Sequence, residues 1–224
     1  MKGIILAAGF GSRMKANIPK PLIEHEGKPI ISFIIEKLKE IGIDEIGIVI
    51  NPKWEDLFEE KLKEFGNLTF LYQDKPLGTY DAIYRAKEFV GNEFFIALNG
   101  DIKFNSLKNF KGLKEFAIGV FEVEDVSRYG SVKVDENGYL IGIAEKKEKG
   151  KGLANAGIYL LRKEIFEVKE KIPKRFVKHA NRFEYYITDG IEELIKRGIK
   201  FKVIKVEKWM SFETKEDLEK RFEK

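Results

Sequence analysis

The regular alternation of apolar runs with amphipathic helical patterns is the feature that most constrains the fold. In the N-terminal half, short apolar runs that predict buried strands cover residues 3–6, 45–50, 68–72 and 93–98. Between them, apolar residues recur at helical spacing over residues 30–41, 52–65 and 79–90. Strands that alternate with helices at this interval predict βαβ units and a largely parallel sheet. Ligands bind such sheets at the carboxyl ends of the strands, so functional residues are expected just after each strand.

The pattern changes after Phe116, where short strands follow one another through turn-rich connections. They are predicted over residues 117–123, 131–135, 139–144 and 156–161, and the sequence D-E-N-G at 135–138 is a hairpin signal. A helix over 187–197, a strand over 199–206 and a helix over 214–222 complete the prediction. We therefore predict an α/β fold, a Rossmann-like three-layer sandwich. Its central sheet is mostly parallel, with antiparallel strands in the C-terminal half.

Composition narrows the class of protein. The 224 residues suffice for one α/β domain and are few for two. The formal net charge is +4 with Lys and Glu interleaved, which does not indicate a nucleic-acid groove. No apolar run approaches the ~20 residues that cross a bilayer, and Gly9 and Arg13 interrupt any secretory leader, so a cytoplasmic protein with no membrane partner is expected. The absence of cysteine excludes disulfides and thiolate catalysis, and together with abundant Lys and Glu it is typical of a thermophile.

The loop after the first predicted strand carries the strongest chemical signal. It contains small residues, two glycines and Arg13, and a glycine turn of this kind exposes backbone N–H groups that bind anions. A second cation, Lys20, follows between two prolines in P-K-P-L. On its own a G-x-G turn is as often a tight connection, and the loop lacks both the third glycine of the dinucleotide fingerprint and the Walker pattern. Together the turn and the two cations predict a cradle for a polyphosphate.

Two later loops add polar groups at predicted strand ends. Gln73 has an amide that can donate and accept toward a base edge, Gly78 permits close approach, and Thr79 can cap the next helix. Asn99-Gly100-Asp101 follows the fourth strand, and a carboxylate in that position is suited to Mg²⁺. Locally, each motif is also consistent with an ordinary turn or helix cap.

The combined pattern L-A-A-G-F-G-S-R-M and P-K-P-L resembles the sugar-phosphate nucleotidylyltransferases, also called nucleotide-sugar pyrophosphorylases. The resemblance implies catalytic roles for Arg13, Lys20 and Asp101. It implies that the nucleotide-binding residues are Leu6, Ala8, Gly9, Gly11, Gln73, Gly78 and Thr79. It further implies one nucleotidyltransferase domain over residues 1–224, with a nucleotide-binding half over 1–115 and an acceptor-binding half over 116–224.

Motifs of the C-terminal half resemble the acceptor site of the same family. These are Y-G at 129–130, E-K at 145–146, N-A-G-I-Y at 155–159 and R-F-E-Y-Y-I-T-D at 182–189. By resemblance, the acceptor-binding residues are Gly130, Glu145, Lys146, Asn155 and Arg182.

The sequence departs from the family at the second metal ligand. Family members have an acidic residue two positions after the tryptophan that corresponds to Trp209, and this chain has Ser211. A hydroxyl is a poorer ligand for Mg²⁺ than a carboxylate. We predict a metal site at Asp101, completed either by Glu213 or by Ser211 through a water. A site weakened to the point of inactivity is the third outcome.

The resulting prediction is a Mg²⁺-dependent enzyme that joins a nucleoside triphosphate, preferably UTP or dTTP, to a sugar 1-phosphate and releases pyrophosphate. A CTP-dependent cytidylyltransferase of a polyol or alcohol phosphate, such as inositol phosphate, remains an alternative. So does a non-catalytic nucleotide-sugar-binding regulatory protein. The expected partners are a nucleoside triphosphate and a phosphorylated sugar or polyol, without nucleic acid, and a homo-oligomer stays open.

Overall fold

The computed structural model describes residues 1–9, 18–145, 149–214 and 216–220, without the side chains of Glu145 and His179. Within these residues there are fifteen strands: β1 (Lys2–Leu6), β2 (Glu24–His25), β3 (Lys28–Pro29), β4 (Ile46–Ile50), β5 (Leu68–Tyr72), β6 (Phe95–Asn99), β7 (Ile102–Phe104), β8 (Ala117–Val123), β9 (Gly130–Val134), β10 (Leu140–Glu145), β11 (Gly152–Leu161), β12 (Arg175–Val177), β13 (Arg182–Glu184), β14 (Lys202–Lys205) and β15 (Trp209–Ser211). The described α-helices are α1 (Ile30–Glu40), α2 (Glu55–Leu62), α3 (Thr79–Arg85), α4 (Lys87–Val90) and α5 (Ile187–Lys196).

The central sheet has nine strands. Seven of them form the path β10-β9-β11-β6-β1-β4-β5, and β8 and β14 join it through β11. Strands β6, β1, β4 and β5 are all parallel, as the βαβ pattern predicts. In the C-terminal half, β11 pairs antiparallel with β6, β8 and β9. The sheet therefore runs through both halves of the chain, while the division of one domain at residue 115 stays a prediction.

Successive strand residues point into two separate cores. Ile5, Ile48 and Ile50 belong to a cluster with residues of α1 and α2, whereas Ile4 and Val49 belong to a cluster with α3, α4 and α5. This is the alternation of a sheet that is covered on both faces. The predicted three-layer α/β sandwich with a mostly parallel sheet and added antiparallel strands is thus confirmed. None of the described helices is long and apolar enough to span a membrane.

Several element boundaries differ from the prediction. The helix predicted over 79–90 is two helices, α3 and α4, that meet at Ala86. Strand β11 begins at Gly152, four residues before the predicted start. In place of the closing helix over 214–222, the described residues show a 3-10 turn at Glu216–Leu218. The hairpin β12–β13 was not predicted, because its strands of three residues are too short to show periodicity.

Candidate active site

The loops after β1 and β6 lie side by side. Leu6 is level with Asn99 in the β1–β6 register. The N–H of Gly100 donates to the Leu6 carbonyl over 2.9 Å, and a Cβ on Gly100 would approach the same oxygen to 2.7 Å. Only glycine fits this contact. The loops that continue into Gly9 and Asp101 therefore start from adjacent strand ends.

Part of the predicted phosphate loop is visible. Ala8 is buried, and Gly9 is exposed with nothing within 4 Å of the place where its Cβ would be. This open space is what a ligand approaching the backbone needs. Residues 10–17, with Gly11 and Arg13, lie outside the described residues, so their predicted contacts with a triphosphate stay predictions.

Lys20 and Asp101 are in direct contact. The Lys20 Nζ donates to Asp101 Oδ2 over 2.6 Å. Lys20 begins a 3-10 turn, Lys20–Leu22, and its side chain is 13% exposed, against 32% for Asp101. The two residues that the sequence places on separate loops therefore meet at the carboxyl end of the sheet. Their catalytic roles stay predictions.

Strand β15 brings both suggested metal ligands beside Asp101. Ser211 pairs with Ile102 in the β15–β7 ladder, and the N–H of Phe212 donates to the Asp101 carbonyl over 3.0 Å. Glu213 follows directly. Ser211, Glu213 and Asp101 line the same cavity.

A buried carboxylate fixes the backbone at Glu213. Asp217 Oδ2 accepts the N–H groups of Glu213 and Thr214, both over 2.9 Å, and Oδ1 accepts from Lys220 Nζ over 2.5 Å. Burial acts to raise the pKa of Asp217. The Lys220 ammonium and the two backbone N–H groups outweigh it and hold this pKa below its ordinary value. The segment that carries Glu213 is therefore held by a charged group.

A polar cavity of about 200 Å³ opens at this edge of the sheet. Six of the residues that the sequence predicted line it: Thr79, Asp101, Gly130, Asn155, Ser211 and Glu213. Arg128 supplies the one formally positive side chain among the described residues of the wall. Nucleotide-side and acceptor-side residues thus share one cavity.

The acceptor-side residues occupy an irregular part of the sheet. The pairing of β11 with β8 shifts between Asn155 and Tyr159. Asn155 spans this irregularity, because its Oδ1 accepts the Gly157 N–H over 2.9 Å and its Nδ2 donates to the Tyr159 hydroxyl over 2.8 Å. Glu145 lies opposite Gly130 in the β10–β9 ladder. The Glu145 side chain and all of Lys146 fall outside the described structure, so their acceptor contacts remain predictions.

Arg182 lies elsewhere. It belongs to β13, where its Nε donates to Glu184 Oε1 over 2.8 Å, and it is not part of the cavity wall. A guanidinium that is paired with a carboxylate of its own strand is already neutralised locally. The predicted contact of Arg182 with an acceptor phosphate stays a prediction.

The segment predicted to contact the base is tied to the start of α5. Gln73 is buried, and its Nε2 donates to the Gly78 carbonyl over 3.1 Å and to Asp81 Oδ2 over 2.8 Å. Gly78 has φ +95°, and a Cβ there would lie 2.5 Å from the Tyr185 carbonyl oxygen. Thr79 does line the cavity, but Gln73 and Gly78 do not. Base recognition by Gln73 and Gly78 stays a prediction.

Thr79 and Tyr80 complete this connection. The Thr79 Oγ1 accepts the N–H of Ile187 over 3.0 Å at the first residue of α5. Tyr80 points into the core, where its hydroxyl donates to the Ile165 carbonyl over 2.7 Å and burial raises its pKa. The large residue after Thr79 is therefore a packing residue.

Sequence reasoning missed an aromatic wall of the cavity. Trp209 stacks on Phe121 with ring centroids 3.8 Å apart, and its Nε1 donates to the Ala156 carbonyl over 2.8 Å at the irregularity of β11. Tyr129 meets Trp209 edge to face at 5.7 Å. In the sequence, Tyr129 and Trp209 could be noticed only because they belong to motifs. From those motifs, roles were predicted only for the neighbouring residues Gly130 and Ser211.

The oxygen ligands near Asp101 are suitable for Mg²⁺. This ion binds through one or two carboxylates and takes its remaining ligands from water and substrate phosphates. Asp101 uses one carboxylate oxygen for Lys20, and Glu213 and Ser211 stand on the same cavity wall. Across the described ranges there is no group of three or more His, Cys, Asp and Glu side chains that could hold a metal unaided. The residues therefore fit an ion that arrives with a phosphate ligand.

The Rossmann-like sheet thus carries a lysine–aspartate pair and a polar cavity at its strand ends. The chain belongs to the nucleotidyl transferase family, whose model matches residues 2–223. This confirms the resemblance seen in the sequence.

Three similar proteins illustrate the family. The bifunctional protein GlmU of Methanocaldococcus jannaschii is 39% identical over 209 residues, which are 89% of this chain and 49% of that protein. The D-glycero-alpha-D-manno-heptose 1-phosphate guanylyltransferase of Campylobacter jejuni is 39% identical over 173 residues, 74% of this chain and 78% of that protein. The crystal structure of HddC from Yersinia pseudotuberculosis in complex with GMP-PN superposes with a TM-score of 0.75 and 28% identity, and covers 97% of this chain and 96% of that one. The chain thus spans about half the length of the GlmU relative.

Proposed function

We propose that this protein transfers a nucleotidyl group from a nucleoside triphosphate to the phosphate of a sugar 1-phosphate. An acceptor phosphate oxygen attacks the α-phosphorus in line. The bond from that phosphorus to the β-phosphate oxygen breaks, and pyrophosphate leaves. Because the acceptor phosphate is already ionised near neutral pH, the reaction needs positioning and charge neutralisation more than a strong base.

The contact of Lys20 with Asp101 at the cavity is the observation that carries this proposal. An ammonium and a carboxylate 2.6 Å apart at the ends of parallel strands supply a cation for the phosphates and an anion for a metal. Lys20 would bind the triphosphate together with Arg13 and the glycine turn. Mg²⁺ held by Asp101, with Glu213 or with Ser211 through a water, would neutralise charge that builds up on the phosphates.

The geometry of Gln73 bears on the choice of base. Its amide nitrogen donates to Gly78 and Asp81, so the amide oxygen is the atom left to offer a base. An acceptor oxygen suits the ring N–H of uracil or thymine. Guanine also carries a ring N–H, and the Campylobacter jejuni relative is named a guanylyltransferase. UTP or dTTP remains the first choice, with GTP as the second.

The cavity wall supports a hydroxyl-rich acceptor. Two of its buried oxygen atoms, Asn99 Oδ1 and Thr188 Oγ1, have no hydrogen-bond partner among the described residues. Buried polar atoms of native proteins almost always have a partner. Sugar hydroxyls would supply the missing partners, and a volume of about 200 Å³ is in the range of a single ring.

Pyrophosphate release tests the proposal. ATP, CTP, GTP, UTP and dTTP are each combined with glucose 1-phosphate, N-acetylglucosamine 1-phosphate, the heptose 1-phosphate named for the relative, and inositol 1-phosphate. We expect release with UTP or dTTP and a sugar 1-phosphate. Release confined to CTP and inositol 1-phosphate would establish the cytidylyltransferase alternative. Tight binding of nucleotide sugars with no release for any pair would establish a regulatory protein.

A further inference from the structure

Arg128 is an arginine in the cavity wall to which no motif assigned a role. It ends the 3-10 turn Val126–Arg128, between β8 and the cavity residue Gly130, and its side chain is exposed. The turn belongs to the C-terminal half, which also supplies Asn155 and Tyr129 to the wall. The arginine therefore comes from the half of the chain that was predicted to bind the acceptor.

The carboxylates close to Arg128 in the sequence are committed to other groups. Asp125 accepts the N–H groups of Ser127 and Gly150 over 3.0 and 3.1 Å. The Ser127 hydroxyl, which also donates to Asp125, and these two N–H groups hold the pKa of Asp125 below its usual value. Glu124 pairs with Lys151 at 3.1 Å. No described residue forms a hydrogen bond or ion pair with the side chain of Arg128. Its guanidinium is therefore free to bind a ligand.

Arg182, the arginine that the sequence predicted at the acceptor, pairs with a neighbouring carboxylate. Arg182 is bonded to Glu184 in β13 and does not reach the wall. A phosphorylated acceptor in this cavity needs a cation, since a desolvated phosphate without one is strongly unfavourable. Among the described wall residues, Arg128 is the group with that charge.

We propose that Arg128 binds the phosphate of the acceptor and positions it for attack, an assignment that rests on the proposed function. The planar guanidinium presents two parallel N–H donors to two phosphate oxygens and leaves the third oxygen to attack the α-phosphorus. Tyr129 and Trp209, which meet edge to face, also line the cavity and provide an apolar surface for the ring that carries the phosphate. Arg128 thus makes an anionic acceptor a requirement of the site.

The test compares Arg128→Ala and Arg128→Lys with the wild-type enzyme in pyrophosphate release. Loss of charge-assisted hydrogen bonds raises the KM for the acceptor about 10- to 100-fold in Arg128→Ala. The KM for the nucleoside triphosphate stays unchanged. Arg128→Lys falls between the two, because an ammonium keeps the charge and loses the paired donors. Since the Arg128 side chain is exposed and has no hydrogen bond or ion pair with the described residues, the melting temperature stays unchanged in both variants.

Arg197→Ala is the matched control, because it removes an exposed guanidinium at the end of α5 that pairs with Glu167 away from the cavity. It should leave both KM values as in the wild type. An acceptor KM that is unchanged in Arg128→Ala overturns the proposal. So does an equal rise of both KM values, or a larger rise in Arg182→Ala than in Arg128→Ala.

A second measurement separates this inference from the proposed function. If the wild-type protein releases no pyrophosphate with any pair, the proposed function fails, and binding of glucose 1-phosphate and inositol 1-phosphate is measured by calorimetry instead. Weaker binding to Arg128→Ala than to the wild type still supports a phosphate site at Arg128. Equal binding to both, or binding to neither, overturns it.

Discussion

The ion pair of Lys20 and Asp101 joins residues that are 81 positions apart in the chain. Each stands where the backbone is constrained, Lys20 between two prolines and Asp101 after Gly100, which fits against Leu6. Such preorganised charges act on a transition state without reorganisation at the moment of reaction. The pair is therefore the residue-level centre of the proposed chemistry.

Lys20→Ala should lower kcat/KM for pyrophosphate release about 10²–10³-fold, as removal of one preorganised charged contact does. The measurement is steady-state kinetics with the best pair of substrates. Lys37→Ala is the control, since Lys37 bonds to Glu40 on the surface of α1. Wild-type turnover in Lys20→Ala would contradict the assigned role.

Gly78→Ala tests the close contact between the 77–80 segment and the start of α5. A Cβ at Gly78 suffers both from φ +95° and from the Tyr185 carbonyl at 2.5 Å, whereas Gly112 has φ +76° and nothing within 4 Å. Gly112→Ala should cost about 1 kcal/mol of unfolding free energy, and Gly78→Ala about 1–3 kcal/mol more from the added clash. Urea denaturation measures both. Equal losses would mean that the close contact does not exist in solution.

At the scale of elements, the segment after β15 depends on Asp217. The sequence from Thr214 to Asp217 has the pattern of a capping box. The reciprocal bond is present, since Asp217 accepts the Thr214 N–H, but the turn that follows is 3-10. The same carboxylate holds Glu213 at the cavity, so its effect extends to the site.

Asp217→Ala should lower the unfolding free energy by about 1–3 kcal/mol, because it leaves two N–H groups without their charged acceptor. Asp217→Asn should lose less, since an amide oxygen still accepts. Urea denaturation of the three proteins at neutral pH provides the measurement. A wild-type free energy in Asp217→Ala would contradict the assigned contacts.

The difference in unfolding free energy between the wild type and Asp217→Asn should change with pH in a definite direction. Since the folded-state pKa of Asp217 is lowered, its stabilisation is complete above the unfolded pKa of about 4 and is lost as the pH falls through the folded pKa. The free-energy gap between the wild type and Asp217→Asn should therefore be constant near pH 6–7 and shrink below about pH 4. A gap that widens on acidification would contradict this account.

At the scale of the whole molecule, the sequence was sufficient to predict the fold class and most of the strands and helices. Strands β5 and β8 have their predicted ends, because long apolar runs between turn signals leave little choice. The break at Ala86, the early start of β11 and the short hairpin β12–β13 depend on tertiary contacts that periodicity does not contain. Family membership was also accessible, because it rests on contiguous motifs.

The cavity was only partly accessible from the sequence. Thr79, Asp101, Gly130, Asn155, Ser211 and Glu213 were predicted and share it. The sequence could not show that Arg182 turns to Glu184 or that Arg128 lies in the wall, since pairing of an arginine depends on which carboxylate lies nearest in space. Arg182 lies on a short strand and Arg128 on a turn, and in such segments the local sequence says least about where a side chain points.

The central claim is that Lys20 and Asp101 belong to one site for a nucleoside triphosphate and its metal. The most direct test is the dissociation constant of UTP, dTTP and GTP, measured by calorimetry with Mg²⁺ and with chelator, for the wild type and for Asp101→Asn. We predict that Mg²⁺ tightens binding to the wild type about 10- to 100-fold and has little effect on Asp101→Asn, because the variant lacks the charged metal ligand. Equal binding with and without Mg²⁺ in the wild type, or the same gain from Mg²⁺ in Asp101→Asn, would contradict the account.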